Sequence, residues 1–429
     1  RWESVRLFFE KNKDLDFYSN FITQDDLNFI PNDHINFTQL TQNDYWNHLI
    51  FLRILFFLNL SNLSFIEKKN DKNIYIFKKK NEKKNLSLRN EFIKFIDNLI
   101  ANFAFKFNKI IFESFRFPKK DFLKICFKFN LIPSLYISIF NFKIKESNFT
   151  ENKKRNKFKD LLFNQDSKDK FIKFLLLNIY KDIPRTYLEN FDKIKNKIFP
   201  LAKSKKTIFS MHSLTFNDNF KIYVAETKKF GSKFIYVNHG GGLTTKMEPY
   251  FDFVDKVVDK QVVSDDVVKK NFVVKLSPTW PITNIKSKKT KLGKDCTIVF
   301  IEKPRHIIKF ITGPLFSQTI DLFDEITKFV NSLKPEIKSN IKFRVKTNYG
   351  FNSVNKFSKL FGKKTIDKVT LKNSFQKSIF NSKLVIVTYP HTAFSESMRS
   401  NIPTIIIVKK NHWNFTESAS HIFELLKKN

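Results

Sequence analysis

The sequence predicts an α/β protein in which a mainly helical portion is followed by two doubly wound, Rossmann-like sheets. Three observations predict it. Apolar residues recur at helical spacing from residue 1 to about 190. From Lys206 short apolar strands alternate with amphipathic helices, and after a polar run at 284–294 that alternation resumes to the C-terminus. At 429 residues the chain is long enough for two to three domains, and 42% apolar content suits a buried core.

In the first portion Tyr45, Trp46, Leu49, Leu52, Ile54 and Leu55 mark one helical face, and Phe92, Phe95, Ile96, Leu99 and Ile100 another. Lysine-rich runs, Glu67–Lys84 and Lys143–Lys159, read as loops between helices. The longest apolar stretch, Leu49 to Ile66, is broken by Arg53, Asn59, Ser61, Asn62 and Ser64. A spanning helix needs about 20 apolar residues, so this stretch reads as a buried amphipathic helix.

The second portion opens with the strand Thr207–Ser210 and a loop, Met211-His212-Ser213. A helix from about Phe216 to Lys229 follows, stopped by Gly231, and then the strand Lys233–Val237. Such a βαβ crossover has parallel strands, so His212 and His239 leave the carboxyl edges of neighbouring strands on one rim. Three of the chain's eight glycines follow His239 directly, as Gly240, Gly241 and Gly242. Glycine lets a ligand approach the main chain closely, and the carboxyl end of a parallel strand is where open α/β sheets keep ligands. His239 is therefore the favoured functional histidine, with Glu248 and Asp252 just beyond as candidate carboxylates for a base or for acceptor hydroxyls.

Residues 284–294 have the polarity of an interdomain linker, which sets expected domains of 1–285 and 286–429. Beyond it, strands are expected at Thr297–Ile301, Ile341–Lys346, Lys383–Thr388 and Thr404–Val408. Helices are expected around Leu315–Val330, Ser374–Asn381, Ala393–Ser400 and Asn414–Lys427.

Within the second sheet, the strand ending at Thr388 enters the turn Tyr389-Pro390-His391, and a helix starts near Thr392. Free amides and the dipole make that helix start an anion site, to which Thr392 and Ser395 add hydroxyls. Such a loop suits a nucleotide phosphate, with Glu396 accepting from ribose hydroxyls. The same residues also fit a simple capped helix, Thr392 as N-cap and Glu396 stabilising the dipole. Along Ile341–Lys346, Lys342, Arg344 and Lys346 face one side, which points either to an anion or to a solvated edge. Arg344, Lys346 and Arg305, at the end of another strand, become candidate phosphate ligands.

The net charge of +36 raises a nucleic-acid partner, but only ten of the 77 basic residues are arginine and the lysines are dispersed. No nucleic-acid partner is expected, and contact with an anionic membrane surface is the better reading of the charge. Cys126 and Cys296 lie far apart in apolar settings, as reduced thiols of a cytoplasmic protein do. No metal-ligand cluster, nucleophile elbow or Walker loop is present. The chain begins at Arg1 without a visible signal peptide, and a missing start is expected.

The order of these motifs resembles the transferases of O-antigen and surface-polysaccharide loci, of the leptospiral type. The resemblance is carried by His239-Gly240-Gly241-Gly242, Glu248, Ser264-Asp265 and Arg344 with Tyr349-Gly350. It continues through Thr388–Met398 and Asn401-Ile402-Pro403-Thr404, so it runs from about residue 200 to the C-terminus. The segment around Glu396 is also similar to the nucleotide-binding segment of UDP-GlcNAc 2-epimerases and polyglycerophosphate transferases, where an equivalent Glu meets the ribose. The family's Trp-Gly-Trp element after Ser264-Asp265 is absent here, with Val267-Val268 in that region, so acceptor recognition is expected to differ.

The resemblance implies a GT-B-like glycosyltransferase with two Rossmann-like domains facing a cleft. The C-terminal domain would bind a nucleotide-sugar donor through His391, Thr392, Ser395 and Glu396, with Arg344, Lys346 and Arg305 on the phosphates. The N-terminal domain would present His239, the glycines and His212 to a glycan or lipid-linked acceptor, with no metal or other cofactor and with peripheral contact at the inner membrane. The alternatives are a nonhydrolysing sugar-nucleotide 2-epimerase and a basic protein that binds nucleic acid or membrane.

Overall fold

A computed structural model describes residues 1–21, 30–41, 43–67, 88–115, 119–134, 139–142, 153–211, 213–237, 250–263, 271–275, 293–302, 316–345, 351–368, 374–409, 412–413, 415 and 417–428. Contacts divide the chain into two compact units. One comprises Arg1–Ile111, Phe122–Lys206 and Ser213–Ser232; the other comprises Phe112–Asp121, Thr207–His212 and Lys233–Asn429. The expected boundary near residue 285 falls inside the second unit.

The first unit is largely helical. It carries α1 (Trp2–Lys11), β1 (Phe17–Phe21), α2 (His34–Leu40), α3 (Asp44–Leu58), β2 (Leu63–Glu67) and α4 (Leu88–Phe107). After β3 (Ile110–Glu113) come α5 (Lys119–Lys128), α6 (Lys153–Phe163), α7 (Lys170–Asn178) and α8 (Phe191–Ala202). Two expectations are corrected here. Leu49 to Ile66 is not one helix: α3 ends at Leu58, Asn59 takes the left-handed conformation (φ 45°), and Leu63–Glu67 becomes a strand paired in parallel with β1. Residues 153–159 are helix rather than loop. Arg155 is buried there, donating to both carboxylate oxygens of Glu189 and to the carbonyls of Tyr180 and Ile183, and this anchors a segment whose lysines alone suggested solvent.

Beyond β4 (Thr207–Ser210) follow the short helix α9 (Ser213–Phe216), then α10 (Asp218–Lys228) and β5 (Lys233–Val237). Asn217 caps α10 by accepting from the Phe220 amide. The helix stops where Gly231 adopts φ 80°, with Ser232 N–H returning to Thr227 and Gly231 N–H to Lys228. This is the bond pattern of a Schellman cap, and glycine occupies its left-handed position. The remaining elements are α11 (Tyr250–Val257), β6 (Lys260–Val263), β7 (Val273–Lys275), β8 (Asp295–Phe300), α12 (Phe316–Ser332), α13 (Pro335–Lys338), β9 (Ile341–Val345), α14 (Ser353–Phe361), α15 (Phe375–Phe380), β10 (Ser382–Val387), α16 (Thr392–Arg399), β11 (Thr404–Ile406) and α17 (Glu417–Lys428).

Among the described residues the strands form the β1–β2 pair and two larger sheets. One has the order β3-β4-β5-β6-β7, with β4 through β7 paired in parallel. The other has the order β11-β10-β8-β9, parallel throughout. The α/β alternation expected from Lys206 onward is therefore present, and both sheets are of the parallel type. The four-stranded sheet buries Ile298, Phe300, Phe343 and Ile386 against Ile326, Val330 and Phe357 on one side, and Val385 and Val387 with Ile379 and Ile402 in a separate cluster. Gly293 fixes its entry: a Cβ there would stand 1.8 Å from the Asn381 carbonyl oxygen, so only glycine permits that backbone approach.

Candidate functional site

In the four-stranded sheet, β8 is the first strand in sequence, yet it lies between the second (β9) and the third (β10). The winding direction reverses at the β8–β10 junction. Chains leave these two strands in opposite directions across the sheet, and the carboxyl ends at such a reversal are where open α/β sheets bind ligands. The five-stranded sheet winds from β3 to β7 without reversal.

The residues at this junction are held firmly. Thr388, immediately after β10, is buried; its amide donates to the Val299 carbonyl, and its hydroxyl donates there too while accepting from the Ile301 amide. Glu302, immediately after β8, is 2% exposed. Its carboxylate accepts from the amides of Phe351, Asn352 and Ser353 and from the Ser353 hydroxyl, at 2.7–3.3 Å. These amides belong to the start of α14, so a side chain from one loop caps the helix that follows the next strand.

Helix α16 starts directly beyond β10. His391 occupies its N-cap position without capping it through its imidazole, and the Ser395 amide returns to the His391 carbonyl. Thr392 is thus the first helical residue, and Glu396 lies in the second turn. The capped-helix alternative, with Thr392 as N-cap, is corrected by this geometry. Ala393 and Ser397 point into the core, while Thr392, Ser395 and Glu396, at i, i+3 and i+4, share a half-buried face. The amides of a helix's first turn have no intrahelical acceptor, so this end presents donors and a partial positive charge.

Arg344 sits near the carboxyl end of the edge strand β9. The edge position agrees with one of the two expectations for it, but solvation does not: the side chain is 5% exposed. Its guanidinium donates to Asp367 at 2.9 Å and to the Ser378 hydroxyl at 3.3 Å, Ser378 donates in turn to Asp367, and the Phe375 ring lies 5.8 Å away. Tyr389 connects this group to α16. Burial, reinforced by the Glu396 carboxylate and opposed by Arg344, pushes the Tyr389 hydroxyl up to about 12. Arg344, Tyr389 and Glu396 therefore share one electrostatic environment. The His391 ring lies 6.2 Å from Tyr389 and 5.5 Å from the Trp413 ring.

Of the other expected residues, His212, His239, Gly240, Gly241, Gly242, Glu248, Arg305 and Lys346 lie outside the described residues. The chain leading to two of them is described. Ser210 pairs with the register position of Tyr236, so β4 and β5 end side by side at the edge from which the chain runs on to His212 and His239. Among the described residues, no group of three or more His, Cys, Asp or Glu side chains could hold a metal ion.

A model of the LIC12162 family transferase matches residues 1–429. The chain belongs to this family. The transferase is similar to a crystal structure of TarM, at 13% identity and a TM-score of 0.34, over 55% of this chain and 51% of that one. A glycine-to-arginine variant of S. aureus TarM, in complex with fondaparinux, alpha-GlcNAc-glycerol and UDP, gives 12% identity and a TM-score of 0.33 over 54% of this chain and 50% of that one. The transferase thus spans about half the length of these solved structures. No curated protein matches it.

Sequence reading missed Glu302, Asp367 and Ser378 as parts of this region. Glu302 precedes Arg305 by three residues, but its partners lie about fifty positions on, and nothing local announces them. Asp367 carried no local signal either. It follows Ile366, which bridges to Phe343 one residue before Arg344.

Proposed function

We propose that this transferase moves a sugar, or a related group, from a nucleotide-activated donor to a surface-polysaccharide acceptor of the O-antigen type. In this reading two Rossmann-like lobes, 1–285 and 286–429, face each other across a cleft in a GT-B-like arrangement. Family membership supports the reaction class. The observation that carries the donor assignment is the reversal of strand order between β8 and β10, with the start of α16 directly beyond it.

In the proposed roles, the first-turn amides of α16 and the Thr392 and Ser395 hydroxyls hold the donor phosphates, and Glu396 accepts from the ribose hydroxyls. His391 stands at the same helix start. Asp367 already compensates much of the charge on Arg344, so Arg305 and Lys346 carry the larger part of phosphate neutralisation. Bond cleavage at the sugar leaves charge on the departing phosphate, and preorganised amides with basic side chains stabilise it. On the acceptor side Gly240, Gly241 and Gly242 admit the acceptor close to the main chain. His239 or Glu248 removes the proton of the attacking hydroxyl, with His212 on the same rim.

A thermal-shift screen against UDP, CMP, GDP and CDP tests the donor site. One nucleotide at about a hundred times its dissociation constant stabilises the fold by about 2.7 kcal/mol, and no shift with any of the four refutes the reading. His239→Ala is expected to abolish transfer while the melting temperature stays at the wild-type value; full activity in that variant removes His239 from the mechanism.

A further inference from the structure

We propose that the exposed face of α4 is the surface by which this transferase docks onto an anionic membrane. The inference is independent of the donor site and stands on one helix of the first unit. Helix α4 has two opposed apolar faces. Ala101, Ala104 and Phe105 are buried on one. On the other, Phe92, Phe95, Ile96, Leu99, Phe103 and Phe107 are exposed, by 66% at Phe92 and 58% at Phe103. At about 100° per residue these six fall within an arc of about 120°, along a helix about 30 Å long. Lys106 falls in the same arc near its C-terminal end, and an apolar strip of that length is rare on a monomer that stays in water.

Two further exposed rings lie close to the end of the helix. The Asn108 side chain donates to the Ile132 carbonyl and accepts from the Ile132 amide, which ties the end of α5 to the end of α4. Phe127 (80% exposed) and Phe129 (54%) stand at that end. Exposed lysines border the same region at 106, 109, 124 and 128. In the sequence, residues 68–87 directly before α4 carry eight lysines against Asp71 and Glu82.

Charge decides the occupant. A net charge of +36 opposes the pairing of two copies through this face and favours an anionic partner. Phenylalanines flanked by lysines are what an interfacial helix needs, rings among the acyl chains and ammonium groups at the headgroups. Among the described residues no helix is long and apolar enough to cross a membrane, so α4 lies in the interface plane.

The test is co-sedimentation of the full chain with vesicles of phosphatidylglycerol mixed into phosphatidylcholine, beside vesicles of phosphatidylcholine alone. The wild type is expected to bind the anionic vesicles and not the neutral ones. The double variant Phe95→Ser with Phe103→Ser is expected to bind about tenfold more weakly or worse, with an unchanged melting temperature. In Phe103→Trp the introduced indole is expected to shift to shorter emission wavelength on anionic vesicles and to be quenched by brominated acyl chains. The proposal is overturned if the wild type binds neither vesicle, or binds both equally. It is also overturned if the serine variant keeps wild-type affinity, or if light scattering finds a dimer that the serine substitutions dissolve.

Discussion

The two larger sheets are both of the parallel type, and the polar ties described for them differ in where they lie. In the five-stranded sheet three such ties lie at the amino edge. Ser232 accepts from the Lys206 amide and shares a hydrogen bond with Thr227, and the Asp259 carboxylate accepts from the Phe234 amide. In the four-stranded sheet they gather at the carboxyl edge: Thr388 on β8, Glu302 on the start of α14, and Arg344 with Asp367 and Ser378 beside Tyr389. Thr297 and Ser382 form a smaller tie at its amino edge. Ties at the amino edge hold a fold together, whereas ties at the carboxyl edge also fix the loops from which a ligand is bound. In the four-stranded sheet these ties hold the described residues that flank the carboxyl-edge loops.

Substitutions at the two edges sharpen that contrast. The largest effect is expected at Arg344. Arg344→Ala leaves Asp367 with Ser378 but without its cation, and breaking a buried pair in this way costs about 3–5 kcal/mol, read as a fall in melting temperature. Glu302→Ala comes next. It strips the acceptor from the Phe351, Asn352 and Ser353 amides, and about 2–3 kcal/mol of stability should go with it. Hydrogen exchange should rise at those three amides and stay unchanged along β4 and β5; unchanged exchange at 351–353 would show that Glu302 does not hold the loop. The smallest effect belongs to Gly231→Ala at the amino edge, where φ 80° costs a Cβ about 1 kcal/mol and nucleotide binding should not move.

Much of this was legible in the sequence because its signals were local. The β4–α10–β5 unit is a short apolar run, a capped amphipathic helix, a left-handed glycine and a second run, all within thirty-one residues. Ser374, expected at the start of a helix, is the N-cap of α15 and accepts from the Lys377 amide. The strand–turn–helix from β10 to α16 was equally readable, and with it the position of Thr392, Ser395 and Glu396 on that helix. What sequence could not give was long-range pairing. Arg344 read as a phosphate ligand or a solvated edge because Asp367 lies beyond a whole helix, and Glu302 gave no sign of its role because Ser353 is far along the chain. Asn59 stood among the polar interruptions of the stretch, but the apolar residues on both sides of this left-handed position read as one helix. Helix α4 was predicted from a face that turns out to be exposed, since periodicity reports that a face is apolar and not what covers it.

The central claim is that the carboxyl edge of the four-stranded sheet binds the nucleotide of the donor, with Glu396 on the ribose. Isothermal calorimetry on Glu396→Ala and the wild type, using whichever nucleotide the screen selects, addresses it directly. Losing a charge-assisted hydrogen bond of about 1.5–3 kcal/mol should weaken affinity by about tenfold or more while the melting temperature without nucleotide stays put. Equal affinity in the two proteins would contradict the assignment.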